Sequence, residues 1–189
     1  LKKEDMFKFF KRKKVSDTFC ILPWIHFYAN PDGNVLPCCI GNHNTPLGNV
    51  RDNSVIEVWG SDRFKALRQS MLNGKKCTEC SACYDNESNG VKSFRQTVNE
   101  QYKKHIPDAN SISPSLNLKY LDIRWSNICN LKCRSCSSTY SSSWATEDGN
   151  KKIYILAGGE SNEKLYDQIM PYLSGLEEIY FAGGEPLLT

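Results

Sequence analysis

The first strongly patterned stretch of the chain predicts a β-hairpin. Residues 24–29 are apolar and aromatic, residues 30–33 (Asn-Pro-Asp-Gly) are dense in turn-forming types, and residues 34–37 run back out. An antiparallel hairpin returns the chain alongside its own start. Cysteines that precede the first strand and follow the second can therefore meet at the open end of the hairpin.

Helical spacing replaces this pattern after residue 53. Ser54 and Glu57 have the spacing of a capping box in front of a short apolar helix. Ser61 is placed to cap a second helix, in which apolar positions recur every three or four residues, and Gly74 is placed to end it. Residues 87–102 are expected to be partly helical.

A stretch rich in proline, serine and asparagine interrupts the chain, and its two prolines predict that it has no regular structure. We take it as a linker between domains. The predicted organisation is a basic N-terminal segment (1–18), a small cysteine-rich α+β domain (19–102), the linker (103–117) and the beginning of an α/β domain (118–189).

The pattern beyond the linker is a strand, a long connection and another strand. Residues 118–125 and 176–182 are the strand candidates, and an apolar helical face lies within residues 161–173. A strand, a helical crossover and a second strand make a parallel unit. Because two parallel strands bury too little apolar area to stand alone, we expect a larger α/β sheet or barrel. The chain also begins with leucine, so we expect it to be a fragment.

Composition and charge narrow the classes of function. The chain is 40% hydrophobic and 24% charged, as soluble globular proteins are, and no apolar run approaches the roughly 18 residues that span a bilayer. The basic start lacks the features of a secretory signal, so we expect a cytoplasmic protein. The net charge of +3 is small and spread out, so we expect no nucleic-acid and no membrane partner. The basic run at residues 8–14 predicts the solvated end of a helix, and contact with a membrane or an acidic partner is the alternative.

Nine cysteines are the unusual feature of the composition. Their number is odd, and cytosolic reductants keep thiols reduced, so a disulfide framework is not expected. Clustered cysteines favour metal ligation instead. Six of them precede the linker and three follow it.

The three cysteines after the linker form a C-x3-C-x2-C pattern: Cys129, Cys133 and Cys136. A cubane iron-sulfur cluster normally takes four cysteine ligands, so three leave one iron open to a small molecule. The second strand ends in Gly-Gly-Glu-Pro at residues 183–186, where paired glycines allow close backbone approach and Glu185 can accept a bond from an ammonium group. A zinc site or incidental cysteines are the alternatives, but no Cys or His follows Cys136.

This order of motifs resembles the radical S-adenosylmethionine superfamily. The resemblance implies that Cys129, Cys133 and Cys136 hold a catalytic [4Fe-4S] cluster whose open iron binds S-adenosylmethionine. It implies contacts to that cofactor from Gly183, Gly184 and Glu185, and the fold of a partial (βα)6 TIM-like barrel. Reductive cleavage of S-adenosylmethionine then gives a 5'-deoxyadenosyl radical that abstracts hydrogen from a substrate. The family usually has an aromatic residue before the third cysteine, where this chain has serine.

The cysteines before the linker resemble the twitch domain, the short relative of the SPASM domain. These domains accompany radical S-adenosylmethionine enzymes, hold auxiliary [4Fe-4S] clusters and in most members follow the barrel. The resemblance implies four ligands to a second, auxiliary cluster: Cys20, Cys38, Cys80 and Cys83. Cys39 in place of Cys38, or Cys77 together with Cys80, are alternative ligands. A zinc knuckle built from the same four cysteines is a further alternative.

Substrate and partners follow from the same resemblance. Relatives with SPASM or twitch domains often modify peptides or proteins, so a peptide or protein is the expected substrate and a flavodoxin or ferredoxin the expected electron donor. Two other interpretations stay open. In the first, the chain is a non-catalytic, cysteine-rich zinc-binding module. In the second, it is an iron-sulfur electron-transfer module.

Overall fold

The computed structural model describes residues 15–149, 152–156 and 160–188, with the side chains of the last range described from residue 165 onward. The basic run at residues 8–14, and most of the predicted N-terminal segment, lie outside these ranges. Within them, no helix is long and apolar enough to cross a membrane.

The described ranges contain short helices and strands, with four α-helices between β3 and β4. The helices are α1 (Leu22–Ile25), α2 (Val55–Trp59), α3 (Asp62–Leu72), α4 (Ser81–Ser88), α5 (Phe94–Gln101), α6 (Ser142–Glu147) and α7 (Glu160–Ile169). The strands are β1 (His26–Ala29), β2 (Asn34–Leu36), β3 (Gly48–Asn49), β4 (Tyr120–Ile123) and β5 (Glu178–Ile179). Short 3₁₀ helices occupy Thr78–Cys80, Lys103–Asp108, Met170–Gly175 and Pro186–Leu188.

The predicted hairpin is confirmed, although its first strand is shorter than predicted. Strands β1 and β2 are antiparallel, with Tyr28 opposite Leu36. Residues 24 and 25 belong to α1 instead of the strand, because Pro23 fits the first turn of a helix, where its missing N–H costs nothing. The turn depends on Gly33, whose φ of 90° is a conformation that side chains disfavour.

The predicted helix ends are also confirmed. Ser54 and Glu57 make both bonds of the capping box at the start of α2. The Ser61 side chain accepts a bond from the backbone N–H of Phe64 at the start of α3. That helix ends at Leu72, and Gly74 takes a left-handed conformation with φ of 71° just beyond it.

A five-stranded mixed sheet joins the two halves of the chain, in the order β3-β2-β1-β4-β5. The predicted parallel unit is confirmed, because β4 and β5 are parallel and α7 lies between them in the chain. Both strands are shorter than the predicted ranges 118–125 and 176–182. The sequence did not reveal that β1 pairs in parallel with β4, with Phe27 opposite Leu121. The hairpin therefore extends the same sheet.

The segment at residues 103–117 is more ordered than its composition predicts. The prediction of no regular structure was wrong for Lys103–Asp108, which is a 3₁₀ helix with Pro107 inside it. A turn this short loses at most one backbone hydrogen bond to a proline, so it tolerates the residue. Whether residues 103–117 separate two domains stays a prediction.

Three side chains from the first half of the chain bind backbone carbonyls farther along this segment. The Trp24 indole donates to the carbonyl of Ser111 at 2.7 Å, and the Trp59 indole donates to that of Pro114 at 2.9 Å. The buried Arg68 guanidinium donates to the carbonyl of Ile112 at 3.2 Å. These bonds hold the segment against α1, α2 and α3.

The two faces of the sheet differ in polarity. Phe27 and Ala29 on β1 and Leu121 and Ile123 on β4 point to one side, where they join the hydrophobic core. The other side carries aromatic and polar residues, all less than 9% exposed: His26, Tyr28, Tyr120 and Asp122. This polar face ends at the carboxyl edge of β4, where the second group of cysteines follows.

Candidate functional site

Four cysteines from the first half of the chain line one cavity: Cys20, Cys38, Cys80 and Cys83. Each is at most 9% exposed. The antiparallel hairpin brings Cys20, before α1, close to Cys38, after β2. The 3₁₀ helix Thr78–Cys80 carries Cys80, and α4 carries Cys83. The two cysteines are three residues apart, the spacing at which helical neighbours face the same way. The cavity therefore brings together the cysteines that the sequence assigns to an auxiliary cluster.

The two alternative cysteines do not line this cavity. Cys39 is half-buried and lies near Asp122 and Arg124, whose charges act on its thiol. Cys77 is buried, with its Sγ 3.9 Å from the carbonyl oxygen of Leu67. The ligand assignment stays a prediction, but the lining favours Cys38 over Cys39 and leaves Cys77 outside.

Burial controls the protonation of these thiols. It raises the pKa of Cys20 to about 12, and raises that of Cys80 still further with the help of neighbouring cysteines. The pKa of Cys38 and that of Cys83 are raised chiefly by burial as well. Metal binding requires thiolates, so a bound cation has to supply the charge that offsets this desolvation and displaces the protons.

The donor set suits an iron-sulfur cluster or zinc, both of which take four cysteine thiolates. In the residues that the structure describes, no group of three or more His, Cys, Asp and Glu side chains is arranged to hold a metal ion. The four thiols are assembled around a shared cavity.

The second group of cysteines lies on an exposed loop after β4. Cys129 and Cys136 are half-buried, and Cys133 is exposed. The backbone N–H of Cys136 donates to the carbonyl of Cys133 at 3.0 Å, which turns the loop back on itself. Because β4 is parallel to its neighbours β1 and β5, this loop leaves the carboxyl edge of the sheet, where α/β proteins commonly bind ligands.

A run of serines and a tryptophan at the start of α6 holds this loop, and sequence reasoning missed it. The Ser142 hydroxyl accepts a bond from the N–H of Cys129 at 3.0 Å, and the Ser143 hydroxyl donates to the carbonyl of the same cysteine at 2.7 Å. The Ser141 hydroxyl donates to the Leu131 carbonyl at 2.9 Å. The Trp144 indole donates to the carbonyl of Cys133 at 3.0 Å. The sequence signal for this arrangement is the Ser-Ser-Ser-Trp run at residues 141–144, but taken alone that run predicts no more than a polar segment.

The glycine turn after β5 packs directly on the loop after β4. Gly183 and Gly184 have φ of 83° and 64°, and a Cβ on Gly184 would lie 2.4 Å from the carbonyl oxygen of Ile128. The N–H of Gly184 donates to the carbonyl of Tyr140 at 3.0 Å, and that of Glu185 to the carbonyl of Ile128 at 2.7 Å. The paired glycines thus allow two loops at the sheet edge to interlock.

A second cavity opens between these loops. Its lining combines parts of both loops with the end of β4: Arg124, Ser135, Cys136, Ser137, Tyr140, Gly183 and Gly184. Of the residues predicted to act together here, Cys136, Gly183 and Gly184 line the same cavity. Cys129, Cys133 and Glu185 are not among the lining residues, and the Glu185 carboxylate accepts a bond from the N–H of Leu187 at 3.3 Å.

Comparison with protein families bears on the first cavity. Residues 20–84 match SPASM, an iron-sulfur cluster-binding domain. The matched residues, here called the SPASM region, begin at Cys20 and extend one residue past Cys83. The match supports iron-sulfur binding in this region and favours a cluster over the zinc knuckle. No curated protein and no solved structure matches the chain.

A largely buried ion pair joins α4, which begins inside the SPASM region, to the helix that follows it, α5. Arg95 lines the four-cysteine cavity and donates to the Phe19 carbonyl at 2.8 Å and to the Glu87 carboxylate. Burial opposes ionisation of Glu87, but its bonds from Arg95 and Ser93 outweigh that effect and lower its pKa. The pair therefore fixes the segment next to Cys20 against the end of α4.

Replacing Glu87 with glutamine should destabilise the protein by about 2 kcal/mol, since Arg95 would be left buried without its counter-charge. Urea unfolding of the two proteins measures the difference. Glu100→Gln is the matched control, because its partner Lys92 and Glu100 itself have side chains that are 57% and 69% exposed. Its cost should stay below about 0.5 kcal/mol. Equal losses in the two variants would mean that the Glu87–Arg95 pair has no special structural role.

Proposed function

We propose that this chain belongs to a radical S-adenosylmethionine enzyme, with the catalytic cluster on the loop after β4 and an auxiliary cluster in the SPASM region. The observation that carries the proposal is the second cavity. Cys136 from the three-cysteine loop and the paired glycines Gly183 and Gly184 line it together, at the carboxyl edge of adjacent parallel strands. Active sites of α/β barrels occupy this edge, which supports the beginning of a (βα)6 barrel.

Cys129, Cys133 and Cys136 are the proposed ligands of the catalytic [4Fe-4S] cluster. These three cysteines would hold the cluster, which would supply one electron for cleavage of S-adenosylmethionine to the radical that removes hydrogen from the substrate. Their half-buried to exposed positions suit a site that a small molecule has to reach.

The surrounding residues keep this loop in a fixed conformation. The hydroxyls of Ser142 and Ser143 and the indole of Trp144 occupy the polar backbone groups of Cys129 and Cys133. The thiols of Cys129 and Cys136 make only long contacts with the backbone of their own loop, at 3.4 to 3.7 Å. The glycine turn closes one wall of the cavity, and Glu185 next to it is the proposed acceptor for the amino group of S-adenosylmethionine.

Cys20, Cys38, Cys80 and Cys83 are the proposed ligands of an auxiliary [4Fe-4S] cluster. Four buried thiols around one cavity, within a region that matches an iron-sulfur domain, support this assignment. Four thiolates leave no vacant coordination position, so electron transfer or structural support is the proposed role. A peptide or protein is the proposed substrate, and a flavodoxin or ferredoxin the proposed electron donor. The cytoplasm is the proposed location, since its reductants keep cysteine thiols available for cluster ligation.

The test is reconstitution of the full-length protein with iron and sulfide in the absence of oxygen, followed by incubation with S-adenosylmethionine and dithionite. We expect about eight irons per chain, from two four-iron clusters, and formation of 5'-deoxyadenosine that requires dithionite. A protein that keeps zinc and takes up no iron would support the zinc-binding module. Iron without cleavage would support the electron-transfer module. Either result would overturn the proposed enzyme.

A further inference from the structure

Arg124 has an environment that the proposed cluster chemistry does not explain. It is the first residue after β4 and lines the second cavity. Its guanidinium lies between two aromatic rings, 5.2 Å from the centre of the Tyr28 ring and 4.9 Å from that of Tyr140. The side chain is 16% exposed. Two cation–π contacts therefore fix a largely buried positive charge at the wall of an open cavity.

The hydrogen-bonding capacity of this guanidinium is unused within the described residues. Its Nε lies 3.5 Å from Oδ1 of Asp122, an ion pair without hydrogen-bond geometry, and is buried without a partner. The side chain donates to no other protein acceptor in the described ranges. Both carboxylate oxygens of Asp122 are likewise buried without hydrogen bonds. Asp122 thus offsets the charge of Arg124 while leaving its donors free.

The buried, unpaired Nε is costly, and a ligand that accepts bonds from this guanidinium would reduce the cost. We propose that Arg124 binds a carboxylate group in this cavity. The planar fork of a guanidinium matches a carboxylate with two parallel hydrogen bonds. Among the described residues that line the cavity, Arg124 is the only charged one, and Asp122 lies beside it. A singly charged carboxylate therefore fits the site better than a doubly charged phosphate.

The rest of the lining suits an organic molecule that carries such a group. Ser135, Ser137 and Tyr140 line the cavity, whose volume is about 430 Å³. Small-molecule sites commonly range from about 300 to 1,000 Å³. Which molecule supplies the carboxylate rests on the proposed function: it is either S-adenosylmethionine itself or a peptide substrate with a free carboxylate.

Chemical labelling of arginine tests the inference in the intact, iron-loaded protein. Phenylglyoxal modifies accessible guanidinium groups, and the modification of each arginine is followed by peptide mass spectrometry. The first pair of probes is S-adenosylmethionine and its decarboxylated form. The second pair is N-acetylglycine and N-acetylglycinamide, each added with and without S-adenosylmethionine. Arg63, which is exposed on α3 far along the chain, is the internal control and should label equally throughout.

We expect Arg124 to be protected by one carboxylate probe and not by its partner that lacks the carboxylate. Protection by S-adenosylmethionine alone identifies the cofactor as the source, and protection by N-acetylglycine identifies the substrate. Equal protection within both pairs, or none, overturns the inference. The labelling result is separate from S-adenosylmethionine cleavage, so a protein that cleaves nothing but shows selective protection by N-acetylglycine would refute the proposed function and keep this site.

Substitution gives a second measurement. Arg124→Gln should weaken equilibrium binding of the protecting probe by about 10- to 100-fold, the loss that accompanies removal of a charged hydrogen-bond donor. Arg124→Lys keeps the charge without the fork and should give an intermediate loss. Binding of the partner probe without the carboxylate should change less than about 2-fold in either variant. If Arg124→Gln fails to fold, Arg124→Lys and the labelling of the unmodified protein still decide the question.

Discussion

Replacing Cys133 with alanine should remove about half of the iron from the reconstituted protein, and replacing Cys80 should remove the other half, since each residue is a proposed ligand to a different four-iron cluster. Cys133 lies on the exposed loop after β4, whereas Cys80 lines the buried cavity of the SPASM region. The measurements are iron and sulfide per chain together with the electron paramagnetic resonance spectrum of the reduced protein. Dithionite-dependent cleavage of S-adenosylmethionine should disappear in Cys133→Ala.

The two spare cysteines provide the matched controls. Cys39→Ala and Cys77→Ala remove thiols that do not line the first cavity, so both variants should retain the iron content of the unmodified protein. Loss of iron in Cys39→Ala with retention in a Cys38→Ala variant would exchange those two residues in the ligand set. If neither Cys133→Ala nor Cys80→Ala lowered the iron content, both ligand assignments would be wrong.

The two substitutions should also differ in their effect on stability. Cys80 is 9% exposed in the core of its region, and burial keeps its thiol protonated in the absence of metal. The proposed cluster would link the hairpin to α4, so its loss should lower the urea midpoint of the whole protein. Cys133 is exposed, and its loop is already held by Trp144 and the serines of α6. Its loss should leave the midpoint nearly unchanged.

Local patterns account for the parts of the fold that could be predicted from the sequence. The capping box at Ser54, the left-handed Gly74 and the turn at Gly33 each depend on neighbours within a few residues, and all three are confirmed. Cys20 and Cys38 come together for the same reason, because one tight turn sets the pairing of β1 with β2. Such features follow from backbone geometry and do not require knowledge of the rest of the chain.

Contacts between distant segments could not be predicted in this way. The pairing of β1 with β4 joins residues more than ninety positions apart, such as His26 and Tyr120, and no pattern in either strand selects its partner. The pairing places Tyr28 beside Asp122 and under Arg124, which creates the polar face of the sheet. A signal did exist: the charges of Asp122 and Arg124 interrupt an apolar strand at every second position. Two charged residues on one face of a central strand indicate that another segment of the chain packs beside that face.

The glycine turn is the point at which fold and proposed function depend on the same residue, and Gly184→Ala should have the largest effect on stability. The new Cβ would lie 2.4 Å from the carbonyl oxygen of Ile128, a backbone atom that cannot rotate away, and φ of 64° disfavours any side chain. We expect a loss of about 3 kcal/mol in the free energy of unfolding, from strain at the residue and displacement of the loop.

Gly90→Ala separates the two causes. Gly90 has φ of 74°, close to that of Gly184, but an added Cβ there meets nothing within 4 Å. Its substitution should therefore cost only the left-handed conformation, about 1 kcal/mol. The difference between the variants in urea unfolding measures the contact between the glycine turn and the loop that carries Cys129. Because that loop and Gly184 share the second cavity, Gly184→Ala should also weaken binding of S-adenosylmethionine, while Gly90→Ala should leave it unchanged. Equal losses of stability in the two variants would show that the turn and the loop are not interlocked.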